Sequence, residues 1–227
     1  MLVSAVCSGC GNWSGFGFHA DGPELPRLRQ ALALKPGMVV ADVGAGKGEL
    51  TLALVREVGP TGHVFSTEID PARLALLRDA VAVLRAKPGV EVYLDAGHSA
   101  WHPVATMVGR LRRADVARAT GFALNVSNFQ LTANEVAYGR GVSAQLGGKH
   151  FVIDTGRNGL GPSGAEWCNP SGRALGPRPT TVTGDSLVDA FLWIKQPGLS
   201  DGTCNGGPAA GAWWADYALG LARRSAY

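Results

Sequence analysis

The sequence has few charged residues, few cysteines and few aromatic residues. Only 17% of its 227 residues are charged, 7% are aromatic, and four are cysteine. The net charge is +3 and no long Lys/Arg run occurs, so no basic stripe for nucleic acid is present. No segment approaches the roughly 18 apolar residues of a transmembrane helix, so we expect no membrane span. We therefore expect a neutral or small-molecule partner.

Apolar residues and glycine are abundant. The hydrophobic fraction of 46% can form the core of one large domain or two small ones. The 32 glycines concentrate after Gly139, in stretches such as GRNGLGPSG and CNGGPAAG. These stretches predict long loops, and long loops often carry functional residues.

Predicted strands and helices alternate along the chain. The strands are predicted at MVVADVGAG, HVFSTEID, EVYLDAG, GFALNVSNF and KHFVIDTG, and the helices at ELTLALVREVG, PARLALLRDAVAVLRA, VATMVGRLRRADVARA and TANEVAYGRGVSAQL. This alternation predicts an α/β fold with parallel strands. Nearer the C-terminus we predict a short helix at SLVDAFL, a strand-like WIKQP and a last helix at AWWADYALGLARR.

Polar residues stand at the ends of three predicted strands, namely Asp95, Asn125 with Asn128, and Asp154. The C-terminal ends of parallel strands are where α/β folds build their sites. Cleavage of a glycosidic bond requires a proton donor and, in inverting enzymes, a carboxylate base that activates water. Aromatic side chains and short polar side chains supply the sugar contacts, and the second half of the chain contains all these residue types.

A glycine-rich turn lies between the first strand and the first helix. Its sequence, ADVGAGKGELTLAL, is followed by STEIDPARL, and together they resemble the first two motifs of class I S-adenosylmethionine-dependent methyltransferases over about residues 20–80. The resemblance implies a pocket for S-adenosylmethionine lined by Asp42, Gly44, Gly46, Gly48 and Glu68. The alternative is a glycine-rich turn without a complete pocket.

Five motifs in the rest of the chain, from about residue 76 to 227, resemble family 6 glycoside hydrolases. They are VYLDAGHSAW, GFALNVSNF, GGKHFVIDTGRNG, AEWCNPSGRALG and WIKQPGLSDGTC, in the order that the family has them. The resemblance implies a distorted α/β barrel that cleaves β-1,4-glucan with inversion and needs no cofactor. A partial barrel of this type, preceded by a partial Rossmann-like β-α-β segment, is therefore the expected fold.

The same resemblance implies roles for individual residues. Asp201 is the candidate catalytic base, and Asp95 is a second catalytic-site carboxylate that supports the charge arrangement. The implied contacts to glucosyl units are His98, Trp101, Asn125, Trp167 and Lys195. Cys168 and Cys204 match positions that form a disulfide closing the active-site loop.

Two departures from the family pattern bear on activity. Leu199 stands where the family has a sugar-binding Glu. The family's proton donor lies in a Glu-Pro-Asp motif, and another essential Asp lies in a Tyr-x-x-Pro-x-Arg-Asp-Cys motif; neither occurs in these 227 residues. We therefore expect residues 1–80 to be a methyltransferase-type segment and residues 81–227 to be the C-terminal part of a glucanase with impaired cleavage. The alternatives are a methyltransferase and a non-catalytic glucan-binding module.

The cysteines indicate possible metal binding and, together with the N-terminus, the cellular compartment. Cys7 and Cys10 have metal or redox spacing, but no second pair or nearby histidine pair completes a zinc site. The family is secreted and a Cys168–Cys204 disulfide would require an oxidising compartment. The first residues show no basic segment followed by a long apolar one, so no signal peptide is expected here.

Overall fold

The computed structural model describes residues 2–6, 26, 29, 34–43, 49–59, 63–67, 74–86 and 89–226. The strands are β1 (Leu2–Val6), β2 (Val39–Val43), β3 (His63–Thr67), β4 (Tyr93–Asp95), β5 (Gly121–Leu124), β6 (His150–Asp154) and β7 (Val188–Leu192). The helices are α1 (Glu49–Val58), α2 (Leu74–Arg85), α3 (Val104–Arg113), α4 (Thr132–Gln145) and α5 (Ala215–Arg223), with one 3-10 turn at Cys204–Gly206. None of the helices described is long and apolar enough to cross a membrane.

All seven strands lie in one sheet, and each pairs in parallel with the next strand along the chain. Crossovers between parallel strands are right-handed in nearly all proteins, so crossovers that always advance in one direction place their helices on one face. A sheet covered on one face curls with its other face inward, as a barrel wall does. Within the described residues no pairing joins β7 to β1. The expected α/β fold with a partial barrel is confirmed.

The two faces of the sheet carry side chains of different size. Phe122 and Phe151 face the helices, where their rings stack with centroids 5.1 Å apart in the main core. Ala123, Val152 and Ala190 face the other way and form a smaller inner cluster. Because strand residues alternate between faces, Phe122 is followed by the inward Ala123 and Phe151 by the inward Val152. On β5 and β6 the inner face therefore carries the smaller side chain, and Tyr93 and Ile194 complete the inner cluster.

Three predicted elements differ from the structure. Within SLVDAFL, Val188–Leu192 form a strand rather than a helix, since Val188 and Ala190 are buried, the residue between them is partly exposed, and the segment pairs with β6. WIKQP has irregular backbone, because the Lys195 N–H donates to a side chain instead of to a neighbouring strand. The helix predicted over 104–119 ends at Arg113, and Asp115 has a left-handed φ of 61°.

The predicted glycine-rich loops are present on both sides of β7. They pack against α5, where Leu221 is fully buried and the Tyr217 hydroxyl donates to the Pro170 carbonyl at 3.2 Å. The implied Cys168–Cys204 disulfide is formed, with Cα atoms 6.1 Å apart. The last helix thus supports the loops that follow the strands.

Candidate active site

The predicted site residues meet where β4 to β7 end. Asp95 ends β4, Asn125 follows β5 and Asp154 ends β6, while Lys195 follows β7. Parallel pairing in register places these four positions along one edge of the sheet. This is the edge at which α/β barrels carry their sites.

Asp201 is the centre of a buried charge cluster. Arg157 donates to both of its oxygens, at 2.7 and 3.1 Å, and Lys195 Nζ binds Oδ1. The backbone N–H of Asn169 donates to Oδ2 at 2.9 Å. The side chains of Arg157, Lys195 and Asp201 are at most 5% exposed. Each carboxylate oxygen therefore accepts two hydrogen bonds from protein donors.

These neighbours control the charge of the cluster. Burial raises the pKa of Asp201, but Arg157 and Lys195 oppose it and leave that pKa below its usual value. Burial and the nearby Arg157 lower the pKa of Lys195, while Asp201 acts against them. Opposite charges favour the ionised form of a buried acid. Asp201 is thus ionised near neutral pH.

Asp154 joins three loops through their backbones. Its oxygens accept N–H hydrogen bonds from Ser127 at 3.0 Å, Gly156 at 2.9 Å and Lys195 at 3.0 Å. Burial raises the pKa of Asp154, and the three N–H donors oppose that rise. The sequence marked Asp154 as a polar strand end, but not as a tie between loops.

Asn125 occupies a turn in the left-handed region, with φ of 64° and no exposed surface. Its side-chain oxygen accepts from Gln130 N at 3.0 Å, and its amide donates to the Asp154 carbonyl at 2.9 Å. These contacts use the amide within the protein. The implied contact of Asn125 with a glucosyl unit stays a prediction.

Asp95 is a partly accessible carboxylate beside Asp154. Burial raises its pKa to about 6, the Gly97 N–H that donates to it at 2.7 Å acts in the opposite direction, and the charge of Asp154 adds to the rise. Asp95, at the end of β4, and Asp201, in the loop after β7, therefore have pKa values shifted in opposite directions. General acid–base catalysis uses carboxyl groups whose pKa values are separated in this way.

Trp101 and His98 lie on the loop after β4. Trp101 is 48% exposed, and its ring stacks on His102 with centroids 4.5 Å apart. A cavity of about 400 Å³ is lined by residues 99–104 and Tyr138. Burial and the nearby His102 lower the pKa of His98. An exposed indole beside a cavity is a suitable platform for a sugar ring.

Glu135 is a buried acid beneath this loop that sequence reasoning missed. It has no exposed surface, and its Oε1 accepts the Ser99 N–H at 2.9 Å. Burial raises its pKa to about 7, and hydrogen bonding to Ser99 opposes that rise. A glutamate on a helix is usually solvated, so its residue type gave no sign of this position.

Trp167 lies in the loop that the disulfide fastens, and it is 64% exposed. Leu199, where the family has Glu, is partly buried and bridges to Trp213 in an isolated antiparallel pair. The implied platform role of Trp167 stays a prediction.

No group of three or more His, Cys, Asp or Glu side chains in the described ranges could bind a metal ion.

Most positions of the methyltransferase resemblance cannot be compared with the fold. Asp42 lies in β2, next to β1 and β3. The other named positions, together with the N-terminal cysteines, lie outside the described residues; they are Cys7, Cys10, Gly44, Gly46, Gly48 and Glu68.

Comparison with known proteins identifies relatives of this chain. The model of the family described as glycosyl hydrolases family 6 matches residues 54–225. Endoglucanase A of Cellulomonas fimi is 56% identical over 153 residues, which are 67% of this chain and 34% of that protein. Endoglucanase 1 of Streptomyces sp. strain KSM-9 is 42% identical over 200 residues, which are 87% of this chain and 53% of that protein. The chain thus spans between a third and about half of these two relatives.

A solved structure agrees with the sequence matches. The endoglucanase Cel6 of Mycobacterium tuberculosis, in complex with methyl-cellobiosyl-4-deoxy-4-thio-β-D-cellobioside, is 38% identical. The alignment covers 88% of this chain and 80% of that one, with a TM-score of 0.74. The family match begins inside the segment that also resembles methyltransferases, and these comparisons lend that second resemblance no support.

Proposed function

Because this chain belongs to glycosyl hydrolases family 6, we propose that it binds β-1,4-glucan along the sheet edge that carries Asp95 and the loop that carries Asp201. The observation that carries this proposal is the family match over 54–225, which contains every residue of the charge cluster. The exposed indoles of Trp101 and Trp167 serve as stacking platforms for glucosyl rings. His98 and Lys195 make polar contacts with the glucosyl units. No cofactor takes part.

In the proposed reaction water bonds to the anomeric carbon with inversion and gives its proton to Asp201, while the glycosidic bond breaks and the leaving sugar oxygen takes its proton from solvent. The lowered pKa of Asp201 keeps it ionised, as a base must be. All four of its hydrogen bonds come from protein donors, and a carboxylate has about four acceptor sites. Proton uptake therefore requires one donor to release an oxygen, and Lys195, on a flexible four-carbon stem, is the candidate.

We also propose that cleavage by these 227 residues is slow. The family's proton donor motif is not among them, and general acid–base assistance contributes about 10² to 10⁴-fold to the rate. Asp95, with its raised pKa, supports the charge arrangement without replacing that donor. A non-catalytic glucan-binding module is the second candidate, favoured by the complete engagement of Asp201 in ion pairs.

Hydrolysis and binding should be measured on the same preparations. Release of reducing ends from carboxymethylcellulose tests catalysis, and calorimetry with cellohexaose tests binding. Asp201→Ala should abolish any hydrolysis, whereas Asp185→Ala, which removes an aspartate paired with Arg140, should leave it unchanged. Hydrolysis at rates typical of the family would contradict the expected impairment. Binding without hydrolysis would favour the binding module. Absence of both binding and hydrolysis would reject both candidate functions.

The origin of the N-terminal segment is a separate proposal. We propose a junction near residue 80 between a methyltransferase-type segment, residues 1–80, and the glucanase part, residues 81–227. Resequencing the gene across codons 70 to 92 tests for a fusion, and titration with S-adenosylmethionine tests the pocket. Absence of heat in that titration would reject S-adenosylmethionine as a ligand of this protein.

We further propose that the protein resides in an oxidising compartment, since disulfides such as Cys168–Cys204 persist there.

A further inference from the structure

We propose that Asn169 is a positioning residue for Asp201, and that the Cys168–Cys204 disulfide keeps Asn169 in place. The inference rests on the proposed function, because it concerns how the candidate base is oriented. Asn169 was not among the residues that the sequence motifs single out for sugar binding or catalysis.

Asn169 and Asp201 bind each other through a reciprocal pair of hydrogen bonds. The Asn169 N–H donates to Asp201 Oδ2 at 2.9 Å, and the Asp201 N–H donates to Asn169 Oδ1 at 2.7 Å. Asn169 is 1% exposed, so water does not compete for these bonds. One residue therefore fixes both the side chain and the backbone of Asp201.

The side-chain amide of Asn169 binds the turn on both sides of Asp201. It donates to the Gly202 carbonyl at 2.7 Å, to the Cys204 carbonyl at 3.1 Å and to Ser200 Oγ at 3.3 Å. A Cβ on Gly207 would lie 2.4 Å from the Asn169 amide nitrogen, so the site accommodates this amide only because residue 207 is glycine. These contacts enclose the Asn169 side chain in a closely fitting polar pocket.

The disulfide links the loop that carries Asn169 to the turn that carries Asp201. Cys168 directly precedes Asn169, and Cys204 follows Asp201 by three residues. Asn169 has φ of 48°, a left-handed conformation that asparagine tolerates better than most residues. Without the covalent link, the loop bearing Asn169 could separate from the turn bearing Asp201. The carboxylate would then lose its fixed direction toward the substrate.

Asn169→Gly is the test variant, and Asn205→Gly is its matched control. Both asparagines have positive φ and lie beside the disulfide, but the Asn205 amide donates to Cys168 O and does not contact Asp201. Glycine tolerates positive φ, so neither change adds backbone strain. Asn169→Gly should lower kcat on cello-oligosaccharides about 10 to 100-fold with little change in KM, as misplacement of a catalytic group does. Asn205→Gly should stay within about twofold of wild type.

A readout that needs no turnover separates this inference from the proposed function. Carbon-13 NMR of labelled aspartate should show the Asp201 carboxyl titrating at higher pH in Asn169→Gly than in Asn205→Gly, because a loosened carboxylate pairs less well with Arg157. Reduction with dithiothreitol should move the wild-type titration in the same direction. If wild type neither binds nor cleaves glucan, the proposed function fails, while this NMR comparison still decides the positioning role.

The inference is overturned if Asn169→Gly matches Asn205→Gly in the Asp201 titration. Should Asn169→Gly fail to fold, Gly207→Ala takes its place, since φ at Gly207 is −69° and suits alanine. Its added methyl would lie 2.4 Å from the Asn169 amide nitrogen and 2.5 Å from the Gly202 carbonyl oxygen, so it disrupts the contact between the Asn169 side chain and the Asp201 turn. An unchanged Asp201 titration in folded Gly207→Ala would equally reject the proposal.

Discussion

Arg157 binds Asp201 through both terminal nitrogens of its guanidinium, and the guanidinium carbon lies 4.3 Å from the centroid of the Phe129 ring. The second nitrogen also donates to the Ser127 carbonyl at 2.6 Å. The arginine is therefore fixed by a carboxylate, a carbonyl and an aromatic face. Only a planar, bidentate cation satisfies all three.

Loss of this arginine alone should destabilise the fold more than replacement of all three charged residues of the cluster. Arg157→Met leaves Asp201 buried with Lys195 alone, and breaking a buried ion pair costs about 3 to 5 kcal/mol. Arg157→Met combined with Asp201→Leu and Lys195→Met should recover part of that loss, since no buried charge of the cluster is then left without its partner. Urea unfolding of the three proteins measures the effect. Equal stabilities for wild type and Arg157→Met would contradict it.

Glu135 should make stability fall as pH rises from about 4.5 to 7. Its folded pKa is about 7, above the unfolded value of about 4.3, so in this window the folded state retains a proton that the unfolded state has released. The difference corresponds to at most about 4 kcal/mol. Glu135→Gln should flatten the pH dependence of the unfolding free energy, leaving a smaller slope of the same sign from Asp95. Glu91→Gln, at a half-exposed glutamate paired with Arg85, is the control.

Gly97 should be required for the position of Trp101. A Cβ on Gly97 would lie 2.3 Å from Trp101 Cε3, so alanine there displaces the indole. Gly147 has a similar positive φ, 71° against 64°, but a Cβ there would meet nothing within 4 Å, so Gly147→Ala reproduces the backbone strain alone. Calorimetry with cellohexaose should show a Kd raised up to about tenfold for Gly97→Ala only. Equal affinities of the two variants for cellohexaose would reject the role of Trp101 as a sugar platform.

Reduction of the disulfide should destabilise the protein by about 4 kcal/mol. The bond closes a loop with a sequence separation of 36, and the chain-entropy model gives this magnitude for the lost constraint on the unfolded state. Urea unfolding with and without dithiothreitol, after alkylation to confirm reduction, measures the change. A Cys168→Ser/Cys204→Ser variant should show the same loss without reductant and no further response to it.

The fold was predictable where hydrophobic runs end at glycine or proline. Most of strands β2 to β6 and their helices have such boundaries, with β5 and α3 as exceptions, and the parallel α/β prediction followed from them. Strand β7 was missed because SLVDAFL is too short for its periodicity to distinguish helix from strand. Its conformation depends on pairing with β6, which only tertiary structure supplies.

The site was predictable only in part. Family motifs indicated Asp201 and Lys195, which the structure brings together. Arg157 and Asn169 contact Asp201 from 44 and 32 residues away along the chain, and no local pattern signals such contacts. The buried position of Glu135 likewise depends on the Ser99 loop packing over α4.

Asp154 has a consequence for how this protein can diverge. Its three partners are main-chain N–H groups, which every residue except proline provides. Side chains on these loops that make no contact with Asp201 can therefore change without loss of the three bonds to Asp154. A single retained acid thus holds the loops by their main chains and leaves their exposed side chains free to vary.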